Sequence, residues 1–215
     1  MIVDVIVDTV CPWCYVGKAR FEKALSMRPD LVVKISWRPF QLNPAMPREG
    51  KDRNAYLSEK FGSGNGARRR YNVIGDAGRQ EGIDFRFDRI ERMPNSVDSH
   101  RLIVYARRDG RQDAMVDALF RAYFTDGRDI GKIEVLAEIA AENGLGCDAA
   151  LAYLASDEDR TMVVGEDQMV RSLGVSGVPC YIVDQKYAVS GAQSPEVFLQ
   201  IFDLAQYEDQ QIAAE

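Results

Sequence analysis

DTVCPWCYVGKARFEKAL, residues 8–25, sets two cysteines three positions apart where an apolar run gives way to a helical pattern. Ahead of the pair, IVDVIV at residues 2–7 is β-branched and almost continuously apolar, as in a strand buried on both faces. Behind it, Cys14, Gly17, Phe21 and Leu25 recur at spacings of three and four, which predicts a helix with one buried stripe. A strand therefore feeds a helix through a turn that carries Cys11 and Cys14. Positions three apart on a helix are roughly 5–6 Å apart at Cβ, close to the span of a disulfide, so the two thiols can open and close. Pro12 suits the first helical position, where its missing N–H would have had no partner. That puts Cys11 at the positive end of the helix dipole, beside backbone N–H groups that stabilise a thiolate. Cys11 precedes the helix and is expected to be exposed and to attack; Cys14 begins the buried stripe and is expected to be the resolving thiol. Pro12 and Trp13 offer the sulfur no imidazole, and Trp13 reads as an apolar rim for a docking substrate.

Two other uses of the pair compete. A structural zinc site needs a second closely spaced ligand pair, and only the isolated Cys147, Cys180 and His100 remain, so no metal is expected. A purely structural bridge would close a very short loop and stabilise little.

Outward from the motif, LVVKISWR at 31–38 reads as a second strand with Trp37 in the core, and FQLNPAMP as its proline-punctuated exit. From about 50 to 172 the pattern is mostly helical. SGNG at 63–66 breaks two segments, Asn95 or Ser96 can cap a helix through SVDSHRLIVYARR, and Asn143-Gly144 is a stop. VPCYIVD and KYAVS then read as a hairpin and SPEVFLQIFDLA as the last helix. The expectation is one α/β sheet interrupted in the middle: residues 1–49 and 173–206 as a discontinuous domain, 50–172 as a helical insertion between the second and third strands, and 207–215 as a polar tail.

The chain has 215 residues, 46% of them apolar and 28% charged, the balance of a globular protein that needs no cross-links to fold. A formal net charge of −6 leaves no overall field to attract nucleic acid or an anionic membrane, and Arg68-Arg69-Arg70 reads as a solvated helix face. No apolar run approaches the roughly 20 residues of a membrane span. The N-terminus has aspartates in its apolar run and no basic start, so it reads as a strand and the protein as cytoplasmic, although a secreted form without its leader would look the same. In a reducing compartment a close cysteine pair is catalytic or metal-binding more often than structural.

With DTVCPWCYVGKARFEKAL, SWRPFQLNP, PNSVDSHRL, LFRAYFTDGRDI and GVSGVPCYIVDQKYAVSGAQ, the chain resembles the DsbA-like thioredoxin-fold oxidoreductases, in particular their FrnE-type branch. The resemblance implies a thioredoxin-like fold with a large helical insertion and an enzyme exchanging its CPWC dithiol with protein or small-molecule thiols and disulfides. It implies no cofactor, glutathione being a candidate redox partner. It also implies a cis-proline at Pro179 facing the dithiol, with the backbone of Val178 pairing to an extended substrate segment. Read from the residues alone, Gly177-Val178-Pro179 is a turn entering a strand. Members of the branch can carry a second cysteine pair, whereas Cys147 and Cys180 here stand apart. Cys180 is near the site in sequence, but strand alternation turns it away from residue 179. Cys147 reads as a helix-start residue, and His100 either packs its helix or faces the groove. The fold also resembles the kappa-class glutathione transferases and 2-hydroxychromene-2-carboxylate isomerases, which usually place serine at the position of Cys11. A third reading makes the insertion and the groove near Trp13 a chaperone-like partner-binding surface. Oligomeric state, a homodimer included, and the direction of redox chemistry are left open.

Overall fold

A computed structural model describes residues 1–62 and 65–213. The β-branched start forms β1 (Ile2–Val7), followed by α1 (Pro12–Ser26) and β2 (Lys34–Pro39). The chain returns to the sheet with β5 (Cys180–Val183) and β6 (Tyr187–Ser190), then ends in α9 (Pro195–Ala213). The sheet order is β2-β1-β5-β6, with β1 and β2 parallel and the other two pairings antiparallel. Alternation sorts its side chains between two faces. Val3, Val5, Val7, Tyr181 and Val183 join the main core, whereas Ile6 and Cys180 join a smaller one with Phe40 and Val170.

Between β2 and β5 lie α2 (Arg53–Phe61), α3 (Asn65–Gln80), α4 (Val97–Arg107), α5 (Gln112–Phe124), α6 (Ile133–Glu142), α7 (Cys147–Ala155) and α8 (Arg160–Ser172). The sequence pattern missed one feature there: β3 (Lys51–Asp52) and β4 (Arg92–Met93) pair antiparallel. Two residues are too short to show any hydrophobic period. The predicted break at SGNG is matched by separate α2 and α3, although Ser63 and Gly64 lie outside the described residues. The start of α4 uses both candidate caps differently from expectation: Ser96 occupies the N-cap without a side-chain bond, and Asn95 Oδ1 accepts the Val97 N–H at 3.0 Å. Residues 207–213, expected as a polar tail, continue α9. Glutamate, glutamine and alanine are good helix formers, so polarity did not stop the helix.

Helix α1 is held on both sides. Phe21 meets Tyr181, Phe198 and Phe202 at ring separations of 5.1, 5.4 and 6.1 Å, and Tyr15 stacks on Phe120 of α5 at 5.2 Å. Lys18 is buried, its ammonium paired with Glu22, with Asp117 at 2.8 Å and with Asp113 at 3.4 Å. Burial alone would lower its pKa; the carboxylates of Asp117, Glu22 and Asp113 together outweigh that and hold the Lys18 pKa above its ordinary value. Trp37 is buried as expected, its Nε1 donating to Asp113 at 3.1 Å.

Candidate active site

Cys11 is the N-cap of α1 with extended backbone, and Pro12 takes the first helical position. The Cys11 N–H donates to the Asp8 carbonyl and the Cys14 N–H to the Cys11 carbonyl, each at 3.0 Å, so the turn is closed by its own backbone. The buried Asp8 carboxylate accepts the Val10 N–H at 3.3 Å and the Leu42 N–H at 2.7 Å, tying the turn to the FQLNP loop. Thr9 and Ser99 of α4 share a hydrogen bond of 2.7 Å. The junction is thus clamped from α4 and from the exit of β2.

Both sulfurs are buried: Cys11 is 4% exposed and Cys14 1%. For Cys11 this corrects the expectation of exposure. Position at a helix end leaves a residue open only if nothing covers that end, and here the segment at Val178 and the wall built by α2 and α3 cover it. The Cys11 thiol donates to the Val178 carbonyl at 3.7 Å, and the Val178–Pro179 peptide bond is cis. Cys14 lies deeper. Burial, then its hydrogen bond to the Cys11 side chain and that sulfur's charge, hold its thiol well above the ordinary range.

Gly17, one turn after Cys14, is where α1 meets the β5 segment. A Cβ at Gly17 would lie 2.7 Å from the Tyr181 hydroxyl and 2.8 Å from the Pro179 ring. Tyr181 has little room to yield, being fully buried against Phe21 and against Phe198 at 4.7 Å. Its hydroxyl has no hydrogen-bond partner among the described residues. Gly17→Ala should therefore cost about 1–3 kcal/mol of overpacking and push Pro179 and Val178 off Cys11. A lowered urea midpoint together with a changed Cys11 alkylation rate would show it; an unchanged pair of values would refute it.

Cys11 opens into a cavity of about 480 Å³. Val10, Pro12, Trp13 and Val178 line it together with Cys11, and Leu42, Tyr56, Phe61, Tyr71, Ile74 and Met93 are among the rest of the lining. Pro12, Trp13 and Val178 thus come together with Cys11. Pro179 does not line the cavity; its ring faces Gly17. His100 is absent from the lining too: its Nε2 is 3.2 Å from the Phe40 carbonyl and 3.7 Å from Asp8, so it packs α4 against the strand ends. Cys180 lies on the sheet face away from Cys14, in the smaller core. Cys147 is exposed at the start of α7.

Sequence reasoning missed Asp8, Tyr181, Lys60 and Arg70. Asp8 could have been found as a charged residue ending an otherwise apolar strand. Arg68, Arg69 and Arg70 are exposed, as the solvated-face reading has it, and the exposed Lys60 and Arg70 are also among the residues lining the cavity. Only the folding of α2 and α3 over the motif brings them there.

The family profile described as DSBA-like thioredoxin domain matches residues 2–203. A probable DsbA oxidoreductase from Streptomyces coelicolor is 35% identical, superposes with a TM-score of 0.89, and the match covers 97% of this chain and 91% of that one. Two more distant structures share the fold. A 2-hydroxychromene-2-carboxylate isomerase (16% identity, TM-score 0.70) is covered completely, as is this chain. The cytosolic disulfide reductase DsbM from Pseudomonas aeruginosa, with GSH, matches at 18% identity and TM-score 0.67, over 99% of this chain and 100% of its own. Among the described residues no helix is long and apolar enough to cross a membrane.

Proposed function

The chain belongs to the DSBA-like thioredoxin domain family, and from that premise we propose that it is a thiol-disulfide oxidoreductase of the FrnE-type branch, working through Cys11 and Cys14. The observation that carries the reading is the stacking of the two sulfurs: Cys11 at the helix N-cap, lining a cavity, and Cys14 buried beneath it. In the reducing direction the Cys11 thiolate attacks one sulfur of a disulfide RS–SR′, forming Cys11–S–SR and releasing R′S⁻, which takes up a proton. Cys14 then loses its proton and attacks the Cys11 sulfur. The Cys11–Cys14 disulfide forms, RS⁻ leaves, and two electrons have passed from the protein to the substrate. The reverse sequence oxidises a dithiol.

Trp13 and Pro12 flank the entering sulfur, and Val178, held by Pro179, supplies the backbone beside it. This role needs no metal or nucleotide. Glutathione is a candidate redox partner, in keeping with the GSH of the DsbM structure, and a cytoplasmic location suits a catalytic rather than structural pair. Catalysed reduction of oxidised glutathione or insulin, tied to Cys11, tests the reading. Conjugation of glutathione that survives Cys14→Ser would instead favour a transferase.

The acidity of Cys14 sets a pH dependence. Its pKa is raised chiefly by burial, a cause that persists when Cys11 is tied up in a mixed disulfide. A raised thiol pKa means the thiolate appears only at higher pH. Breakdown of a preformed Cys11 adduct should therefore keep accelerating roughly tenfold per pH unit beyond the ordinary thiol range near about 8.5. Quenched mass spectrometry between pH 6 and 10 would follow it, and a rate already level below pH 8 would contradict a buried resolving thiol.

A further inference from the structure

The cavity over Cys11 is selective in two ways. Its volume, about 480 Å³, lies in the range that encloses small ligands, and the sulfur at its wall is only 4% exposed. A disulfide on the surface of a folded protein would have to thread a loop into it; a small molecule enters whole. The lining is apolar and aromatic, with two charged groups, Lys60 and Arg70, both cations. Lys60 Nζ donates to the Tyr56 hydroxyl at 2.9 Å and stands 5.3 Å from that ring and 5.8 Å from Phe61, and the Arg70 guanidinium stands 5.0 Å from Phe61. Neither forms an ion pair among the described residues, in a protein rich in such pairs. Both cations are exposed, so water solvates them in the free protein; with no carboxylate lining the cavity, the charge they bring to its edge favours a negative group on whatever enters.

We propose that the cavity takes a small, apolar disulfide bearing a carboxylate, an aryl carboxylate fitting best. Its rings lie between Trp13 and the aromatic wall of α2 and α3, its sulfur meets Cys11, and its carboxylate meets Lys60 and Arg70. The inference rests on Cys11 being the attacking sulfur and adds what it attacks. The exchange balances as above: the Cys11 thiolate takes one aryl sulfur, and the other aryl thiolate leaves with the electron pair of the S–S bond.

The test uses the full chain, reduced and desalted, and second-order rate constants for four probes. These are 5,5′-dithiobis(2-nitrobenzoate), aromatic and anionic; 4,4′-dithiodipyridine, aromatic and uncharged; oxidised glutathione, anionic without an apolar body; and insulin, a protein disulfide. Each rate is divided by that of the same probe with dithiothreitol, which removes intrinsic reactivity. The normalised rate for the anionic aryl disulfide should exceed each of the others by about tenfold or more, the worth of a charge-assisted contact, and should fall with added salt. In the Lys60→Ala/Arg70→Ala variant that advantage should vanish, the anionic probe losing about tenfold more than 4,4′-dithiodipyridine, with an unchanged thermal midpoint showing that the variant is folded. Lys60→Glu/Arg70→Glu should drop the anionic probe below the neutral one. Equal normalised rates, a preference for insulin or oxidised glutathione, or equal losses on both aryl probes would overturn the proposal and leave the exchange activity standing. If Cys11→Ser reacted with every probe as fast as wild type, the oxidoreductase reading itself would fall.

Discussion

Cys11→Ser should take disulfide exchange down to the slow background of one ordinary exposed thiol, Cys147, while leaving the fold intact. Serine is close to isosteric, so the N-cap, the turn closed on Asp8 and the packing of α1 survive. Nothing can stand in for the lost sulfur. Cys14 is 1% exposed and keeps its proton because it is buried. Cys180 faces the other side of the sheet among Ile6, Phe40 and Val170. Cys147 is exposed at the start of α7 and would still be alkylated by a general reagent, which serves as an internal control. Reduction of oxidised glutathione, read beside the thermal midpoint, measures both halves of the expectation. Activity that persisted in Cys11→Ser would point to partner binding or to other chemistry.

The largest expected loss of stability lies elsewhere, at Arg101 in the PNSVDSHRL stretch. This arginine is fully buried. Its guanidinium donates to Asp98 at 2.7 Å and to the carbonyls of Tyr153, Leu154, Ser156 and Glu158 at 2.8, 3.1, 2.8 and 2.7 Å. It thereby satisfies the carbonyls of Leu154, Ser156 and Glu158 at the end of α7 and in the turn after it, where helical partners run out; the Tyr153 carbonyl also accepts from the Ser156 N–H and hydroxyl. Arg101→Met keeps the volume but strands these acceptors in the interior, at a cost of about 3–5 kcal/mol, the range for breaking a buried charge network. Arg101→Lys should rescue little, because one ammonium cannot reproduce the planar fork. Urea denaturation reads the loss, and the exchange rate per folded molecule should stay near wild type because Arg101 does not line the Cys11 cavity. A change of less than about 1 kcal/mol, typical of an exposed pair, would refute the assignment.

What could be read from the sequence was what is local. The β1–α1 junction followed from period and from Pro12, and strand alternation turned Cys180 away from residue 179. The mixed α/β sheet and its interruption followed from the order of patterns. What escaped depended on contacts between distant segments. Cys11 looked exposed because its cover arrives from α2, α3 and Val178, none of it adjacent in the chain. Nothing in the local sequence singled out Lys18, whose partners Asp113 and Asp117 come from α5. Arg70 read as part of a solvated face and is exposed, but only the packed insertion brings it and Lys60 into the lining of the cavity that Cys11 shares.

The central claim, that Cys11 receives the substrate sulfur and Cys14 removes it, is tested most directly by a trapped adduct. Cys14→Ser in a Cys147→Ser background, incubated with oxidised glutathione and then digested for mass spectrometry, should carry one glutathione on Cys11, stable until a thiol is added. The matching Cys11→Ser protein should carry none. An adduct on Cys180 alone, or no adduct on Cys11 under conditions where the wild-type protein turns over, would contradict the account.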